Sequence, residues 1–346
     1  MNRSKNAMSE IIGNIALKRR LGDDIVSGSL SHAYILEGPN GSGRHTIAYM
    51  AAAALACEAK DDASKPLPCL NCPSCRKILE KKSPDVIVKG TEGKASIGVD
   101  IARFIKEDVH TLPNDLEHKF YIIEDAEKMT HYAQNAILLT LEEPPSFVHF
   151  FLLCNNSTSL LETIRSRAPT LRTEPVSDCQ IDEYISSKDR RAAQLKLTDR
   201  KEYYEIIKAS SGGIGRALDM LDPERWAPIK EQRKLIANIM LVAITKKEAK
   251  GLLLLMNKLS SKRDILSEQL SLLLSAIRDL MVLKKNENAV LCFYCDQNEA
   301  IELCDTTSLT FLYNFQAAVV TALKENTKNA NIKIMLMKMF LDAGII

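Results

Sequence analysis

Residues 33–50 read AYILEGPNGSGRHTIAYM, and this stretch decides the fold. Its first four residues form a short apolar run that is typical of a buried strand. A helical pattern begins at about Thr46 and runs to about Ala59. Between the strand and the helix lie three glycines, Gly38, Gly41 and Gly43. A strand, a glycine-rich turn and a helix in this order form the context of a P-loop, in which backbone N–H groups and the helix N-terminus face a phosphate.

Two positions of this loop carry unusual chemistry. Arg44 stands where a lysine would reach the phosphates, and its planar guanidinium does not replace a compact ammonium. His45 stands where a hydroxyl would bind Mg²⁺, and imidazole is a poor ligand for that hard cation. Thr46 has a hydroxyl, but one residue further on a helix turns the side chain by about 100°. The sequence leaves open a turn without ligand, a loop that binds ATP or ADP without hydrolysis, and a working ATPase.

A second apolar run ends in two acids. Phe120 to Ile123 reads as a buried strand, and Glu124 and Asp125 follow it directly. In a working phosphate-transfer site one such acid holds Mg²⁺ and the other orients water. Here their order is the reverse of the usual one. The alternative is that both acids cap the next helix.

Further apolar runs predict a parallel sheet. Buried strands are expected at residues 86–88 and 149–153, and a helix at 133–141 before Pro144. After about residue 172 the pattern is helical, with a long amphipathic helix over 265–281 and a closing helix over 331–341. The fold class is therefore α/β. We expect an α/β domain at 1–172, a small helical lid domain at 173–222 and an all-α domain at 223–346.

Four cysteines suggest a metal site within residues 57–75. Cys57 precedes the dense run Cys69, Cys72 and Cys75. Four thiolates are the tetrahedral ligand set that zinc favours, and with no open position such a site is structural. The alternative is four reduced, buried cysteines without metal. A second pair, Cys292 and Cys295, lacks a clear fourth ligand, and with Cys304 it is predicted to lie in a helical core.

Composition narrows the class of protein. The chain has 346 residues, with 46 Lys and Arg against 44 Asp and Glu, for a net charge of +2. This balance does not indicate a protein coated with nucleic acid. Residues 1–9 do not resemble a secretory signal, and no apolar run is long enough to cross a bilayer. We therefore expect a cytoplasmic protein without a membrane partner.

Six motifs, in this order, resemble the clamp-loader ATPases of bacterial DNA polymerase III, a branch of the AAA+ family. They are SHAY at 31–34, the altered P-loop at 38–45, the cysteine insertion at 57–75, NAILLTLEEPP at 135–145, IRSRA at 164–168 and GIGRAL at 213–218. In the fifth motif Ala168 replaces the family's cysteine. The resemblance covers about residues 12–221. It implies an AAA+ sheet, a helical lid and a C-terminal collar that joins subunits into a ring.

The resemblance also implies roles for two arginines. Arg167 would be an arginine finger that enters the ATP site of a neighbouring subunit, and the alternative is a surface arginine paired with an acid such as Glu162. Arg216 matches the family's sensor 2 position, where it would contact a nucleotide, or it would only bridge the first two domains. Because Arg44 and His45 depart from the gamma and tau pattern, the sequence favours the delta-prime branch.

The expected partners are those of the family. They are the gamma, tau and delta subunits, with the sliding clamp and primed DNA contacted through the complex. Zinc is the expected cofactor. Two other functions remain: an active gamma-type ATPase, and a stand-alone zinc-dependent nucleic-acid-binding protein.

Overall fold

The computed structural model describes residues 8–62, 64–245, 249–287, 289–328 and 330–345. Five parallel strands form one sheet in the order β2-β3-β4-β1-β5. The strands are β1 (Ala33–Glu37), β2 (Val86–Lys89), β3 (Lys119–Ile123), β4 (Val148–Cys154) and β5 (Thr170–Arg172). The predicted α/β class with a parallel sheet is confirmed.

Six helices alternate with these strands. They are α1 (Ile15–Val26), α2 (Arg44–Leu55), α3 (Pro73–Leu79), α4 (Val99–Asp108), α5 (His131–Glu142) and α6 (Glu162–Arg165). The elements described after β5 are all helical. They are α7 (Asp178–Lys188), α8 (Arg190–Thr198), α9 (Arg200–Ala209), α10 (Ile214–Met220), α11 (Pro223–Thr245), α12 (Ala249–Met256), α13 (Arg263–Leu283), α14 (Gln297–Asp305), α15 (Leu309–Asn326) and α16 (Ile332–Asp342).

The sheet is covered on both faces, as its apolar strands require. Successive side chains of a strand point to opposite faces, so β1 feeds two cores. Tyr34 and Leu36 pack with the buried side chains of α1, α2 and α3. Ala33 and Ile35 pack with those of α4, α5 and α6. The alanine-rich α2 buries Ala51 to Ala54 and can therefore approach the sheet closely.

Two strands differ from the prediction. Residues 86–88 were expected to be buried, but β2 is half-buried throughout because it is an edge strand with a partner only on the β3 side. Strand β5 was not predicted. It has three residues, of which only Leu171 is buried, so the sequence has no apolar run that would predict it.

The chain divides into two compact units. One contains Met1–Tyr184 and Gly212–Arg216, and the other contains Ile185–Ser211 and Ala217–Ile346. In the second unit, α11, α13, α14, α15 and α16 share one apolar core, and the predicted long helix is confirmed as α13. The finer division into three domains at 172 and 222 stays a prediction. Among the described residues, no helix is both long and apolar enough to span a bilayer.

Candidate functional site

The predicted glycines lie together in the loop between β1 and α2. Gly41 has φ of 81° and Gly43 has φ of 88°, a left-handed conformation that glycine adopts without steric cost. Gly38 donates its N–H to the carbonyl of Cys154 at 3.0 Å, which ties the loop to the end of β4. A methyl group on Gly38 would lie 1.8 Å from Oγ1 of Thr173. The loop therefore has the tight backbone that a P-loop needs.

Arg44, the first residue of α2, folds back onto this loop. Its side chain is buried, with 5% exposure, and its Nη2 donates a hydrogen bond of 2.7 Å to Oδ1 of Asn40. Its Nη1 is buried and has no hydrogen-bond partner among the described residues. Burial lowers the pKa of Arg44, although the nearby charges of Glu127 and Asp125 oppose this effect. The cation that should reach a nucleotide is thus engaged with its own loop.

His45 contacts the first acid of the predicted acid pair. Its Nδ1 lies 3.2 Å from Oε1 of Glu124, and both side chains are partly exposed. Burial lowers the pKa of His45, and the charge of Arg44 adds to this, while Glu124 opposes it. A neutral imidazole therefore occupies the place of the magnesium-binding hydroxyl and contacts the acid beside it. Thr46, the third residue of α2, is exposed.

The second acid has a different partner. Oδ2 of Asp125 lies 2.9 Å from Nζ of Lys128. Asp125 precedes a short 3₁₀ turn over Ala126–Lys128 but makes no side-chain hydrogen bond to cap it. The helix-capping interpretation of the two acids therefore lacks the hydrogen bond on which it depends.

Two further polar residues lie near this site and were not predicted. Oε1 of Glu127 accepts hydrogen bonds from the backbone N–H and the side-chain amide of Asn155, at 3.1 and 2.7 Å. Oε2 of Glu127 is buried without a hydrogen-bond partner in the described chain. Asn155 directly follows β4, at the edge where strands of a parallel α/β sheet commonly present ligand groups. That position was the one available signal in the sequence.

Arg216 lies against the loop, next to Gly41. A methyl group added to Gly41 would lie 2.8 Å from Cβ of Arg216 and 3.1 Å from its backbone nitrogen. The side chain of Arg216 is exposed. This contact is compatible with either predicted role of Arg216.

Arg167 forms a surface ion pair beyond the end of α6. Its Nη2 pairs with Oε1 of Glu142, and the two side chains are 35% and 38% exposed. Its Nη1 also donates to the carbonyl of Thr163 at 2.8 Å. Glu142 ends α5, so the partner comes from another helix and not from Glu162, the acid named from the sequence. An exposed ion pair of this kind stabilises the fold by less than about 1 kcal/mol, so the guanidinium can exchange partners.

The four predicted metal ligands converge. The sulfur atoms of Cys57, Cys69, Cys72 and Cys75 all lie within 4.8 Å of one another. Tetrahedral zinc with Zn–S bonds of about 2.3 Å would place its sulfurs about 3.8 Å apart, so the cluster needs little closure to hold zinc. Pro73 begins α3 at the position where proline is best tolerated, and Cys72 caps that helix.

Backbone N–H groups point at these sulfurs. Cys69 donates to Cys57, Cys72 donates to Cys69, and Cys75 donates to Cys72, each at 3.4 Å. Burial raises the pKa of Cys69, but N–H groups and neighbouring thiols outweigh it and hold the pKa at about 7. Burial raises the pKa of Cys57 and of Cys75. Such a set of thiols, three buried and one half-buried, with N–H donors fits a thiolate-bound zinc ion, which supplies structural cross-linking and no catalysis.

The other three cysteines that were predicted to lie in a core differ in their exposure. Cys304 is buried, as predicted, whereas Cys292 and Cys295 are exposed. The core prediction for these two is wrong because they lie in the turn between α13 and α14 and not on a helix face.

A family model described as "DNA polymerase III, delta subunit" matches residues 13–177. The chain is 31% identical over 214 residues to DNA polymerase III subunit tau of Bacillus subtilis (strain 168), and 31% identical over 207 residues to subunit delta' of Yersinia pestis. It is 27% identical over 264 residues to subunit gamma of Buchnera aphidicola subsp. Acyrthosiphon pisum.

These matches support membership of the clamp-loader AAA+ family. The matches cover 62% of this chain and 37% of the tau subunit, 57% and 56% for delta', and 73% and 71% for gamma. The chain thus spans only part of each of these relatives. Tau, gamma and delta' relatives match with similar identities, so the comparisons do not separate these branches.

Proposed function

We propose that this chain is a delta-prime-type subunit of a bacterial DNA polymerase III clamp loader. It assists ATP-dependent loading of the sliding clamp onto primed DNA and does not hydrolyse ATP itself. The observation that carries the proposal is the pairing of His45 with Glu124 beside an Arg44 that is bound to Asn40. Arg44 is bound to Asn40, and His45 and Glu124 are paired with each other. None of the three side chains is therefore free to bind a phosphate or Mg²⁺.

The degenerate site keeps the shape of a nucleotide site. Gly38, Gly41 and Gly43 hold the loop, Thr46 and Arg216 flank it, and the N-terminus of α2 faces it. Binding of ATP or ADP is weak in this proposal, because neither a lysine nor a hydroxyl is available to hold the phosphates and Mg²⁺.

Arg167 supplies the chemistry that the chain contributes to its complex. Its guanidinium lies at the surface and is held by Glu142 rather than by the core. In a neighbouring subunit's ATP site, a guanidinium stabilises charge on the transferring γ-phosphoryl group, an effect that reaches about 10³-fold or more in kcat. Opening an exposed ion pair with Glu142 costs little by comparison.

The proposed assembly follows from these roles. Gamma or tau subunits supply ATP sites, delta completes the ring, and the clamp and primed DNA are contacted through the complex. The helical residues 223–346 form the collar, residues 173–222 the lid, and a structural zinc ion holds the segment 57–75. We place the protein in the cytoplasm, where these partners act.

A second candidate is an active gamma-type ATPase. It is favoured by the match to subunit tau of Bacillus subtilis, which is as high in identity as the match to delta'. It requires Arg44 to leave Asn40 and His45 to leave Glu124 when a nucleotide binds.

Reconstituted complexes test these alternatives. The full-length chain would be combined with gamma, delta, the sliding clamp and primed DNA, and ATP turnover compared for wild type, Arg167→Ala and Arg165→Ala. Arg165 is an exposed arginine two residues earlier and serves as the matched control. We expect no turnover by the isolated chain, a loss of about tenfold or more with Arg167→Ala in the complex, and little change with Arg165→Ala.

Glu142→Ala separates the finger from a local structural role. It breaks the same ion pair and leaves Arg167 free to reach a neighbour. A loss of turnover equal to that of Arg167→Ala would assign the effect to the pair and overturn the finger. Turnover by the isolated chain would favour the gamma-type ATPase.

A further inference from the structure

The turn between α13 and α14 carries two thiols outside the zinc cluster. Cys292 and Cys295 are separated by two residues, and both are exposed. The described cluster of candidate metal ligands does not include them. Two accessible thiols at this spacing can react with each other if the chain brings them together.

The backbone of this turn is curled around one carboxylate. Asp279, on α13, is fully buried and accepts the N–H groups of Cys292, Phe293 and Tyr294 at 2.8, 2.7 and 3.2 Å. In an extended chain successive N–H groups point in opposite directions, and four residues span about 10 Å. Three successive N–H groups can meet one carboxylate only in a curled chain. A disulfide needs a Cα separation of roughly 4.4–6.8 Å, which a curled chain of four residues can supply and an extended one cannot.

Each thiol has an arginine neighbour. Nη1 of Arg278 donates to Sγ of Cys292 at 3.1 Å and also pairs with Oδ1 of Asp279 at 2.9 Å. Arg233, on α11, donates to the carbonyl of Phe293, between the two cysteines. Burial raises the pKa of Cys295, although Arg233 opposes this. The two thiols therefore differ: burial disfavours ionisation of Cys295, which leaves Cys292 to attack first.

We infer that Cys292 and Cys295 form a reversible intrachain disulfide, with Cys292 as the attacking thiol. The oxidant is a small disulfide of the glutathione class. The Cys292 thiolate attacks one sulfur of this oxidant, forming a mixed disulfide and releasing one thiolate. Cys295, after losing its proton, attacks the Cys292 sulfur and releases the second thiolate. Two protein thiols are oxidised, one small disulfide is reduced, and the two thiol protons pass to the released thiolates.

The disulfide would lock a turn that connects three helices. Lys208 of α9 donates to the carbonyl of Leu291 at 2.8 Å, Arg233 joins α11, and Asp279 joins α13. A covalent bond within the turn would hold all three attachments in one geometry. Oxidation would thereby act on the helical unit without touching the P-loop.

Mass spectrometry of the full-length, zinc-loaded chain tests the inference. The protein would be equilibrated with excess oxidised or excess reduced glutathione, quenched in acid, alkylated with N-ethylmaleimide and digested with trypsin. Residues 286–324 form one tryptic peptide, which contains Cys292, Cys295 and Cys304. We expect oxidised glutathione to give a peptide with a single alkylated cysteine, Cys304, and two fewer hydrogens, and reduced glutathione to restore three alkylated cysteines.

Single substitutions assign the order of attack. Cys295→Ser is expected to stop at a mixed disulfide on Cys292, whereas Cys292→Ser should slow reaction at Cys295 by roughly tenfold. Cys179→Ser removes another exposed thiol and should change none of these results. Three alkylated cysteines in excess oxidised glutathione, or equal reactivity of the two single variants, would overturn the inference.

Discussion

Nη2 of Arg44 donates a hydrogen bond of 2.7 Å to the side-chain oxygen of Asn40, four residues earlier in the same loop. The bond joins the start of α2 to the middle of the turn that precedes it. A loop closed in this way holds its shape without a phosphate.

The double variant Arg44→Lys with His45→Thr is expected to bind Mg·ADP at least about tenfold more tightly than wild type. A lysine restores a compact cation for the phosphates, and a threonine restores the magnesium hydroxyl. Isothermal titration calorimetry on each variant measures the effect, with Arg165→Lys as the same exchange outside the loop. If His45→Thr alone recovers all of the binding, then Arg44 does not block the site.

Gly38→Ala is expected to destabilise the fold by about 1–3 kcal/mol. The new methyl group would lie 1.8 Å from Oγ1 of Thr173, so β1 or β5 must move. Thr173→Ala removes that oxygen, and the double variant should be more stable than the sum of the two single losses predicts. Urea unfolding of the four proteins gives the coupling energy. Strict additivity would show that the loop relaxes elsewhere.

Cys69→Ser is expected to abolish stoichiometric zinc binding and to lower Tm by roughly 5 °C or more, because zinc binding is coupled to folding of the segment around it. Elemental analysis and calorimetry give the two readouts. Cys179→Ser, an exposed cysteine outside the cluster, should keep one zinc per chain. Full zinc content in each of the four single ligand variants would rule the site out.

Acid should destabilise the protein through His149. Burial, reinforced by His118, lowers the pKa of His149 to about 4, and its side chain is 6% exposed. In the unfolded chain a histidine has a pKa of about 6.5, so on acidification the unfolded state takes up a proton before the folded state does. Neutral His149 therefore contributes its full stabilisation only above about pH 6.5. This stabilisation then falls by up to about 3 kcal/mol as the pH drops towards 4.

The variant His149→Phe keeps a ring beside Phe120 and cannot titrate. Between pH 7.5 and pH 5, the free energy of unfolding of this variant should decrease by less than that of wild type. His110→Gln changes an exposed histidine and should leave the wild-type dependence intact. Parallel curves for His149→Phe and wild type would contradict a titrating role for His149.

The sequence predicted the parts of the fold that repeat a simple pattern. Apolar runs located β1, β3 and β4, since a parallel strand buried on both faces has no polar side chains to obscure it. Strand β5 was missed because it has only three residues, of which one, Leu171, is buried. The thiol cluster was predictable because ligand spacing is local, and its four sulfurs do converge.

Long-range pairs were not predictable. Arg167 pairs with Glu142, 25 positions earlier, although Glu162 is nearer in sequence. Glu127 and Asn155 meet because β3 and β4 are neighbours in the sheet, a fact that no local pattern contains. Cys292 and Cys295 lie outside the core, in a turn whose N–H groups at residues 292–294 bond to the buried Asp279. Each of these errors arises where one polar group selects a distant partner.

Helix α2 joins the two unusual chemistries of this chain. It begins at Arg44 and ends at Leu55, two residues before Cys57. At about 1.5 Å per residue it is a rod roughly 18 Å long. A metal ion near its C-terminal end would fix the direction of α2 whether or not the glycine loop at its N-terminal end binds a phosphate. Loss of phosphate binding by the loop would then leave the position of α2 unchanged.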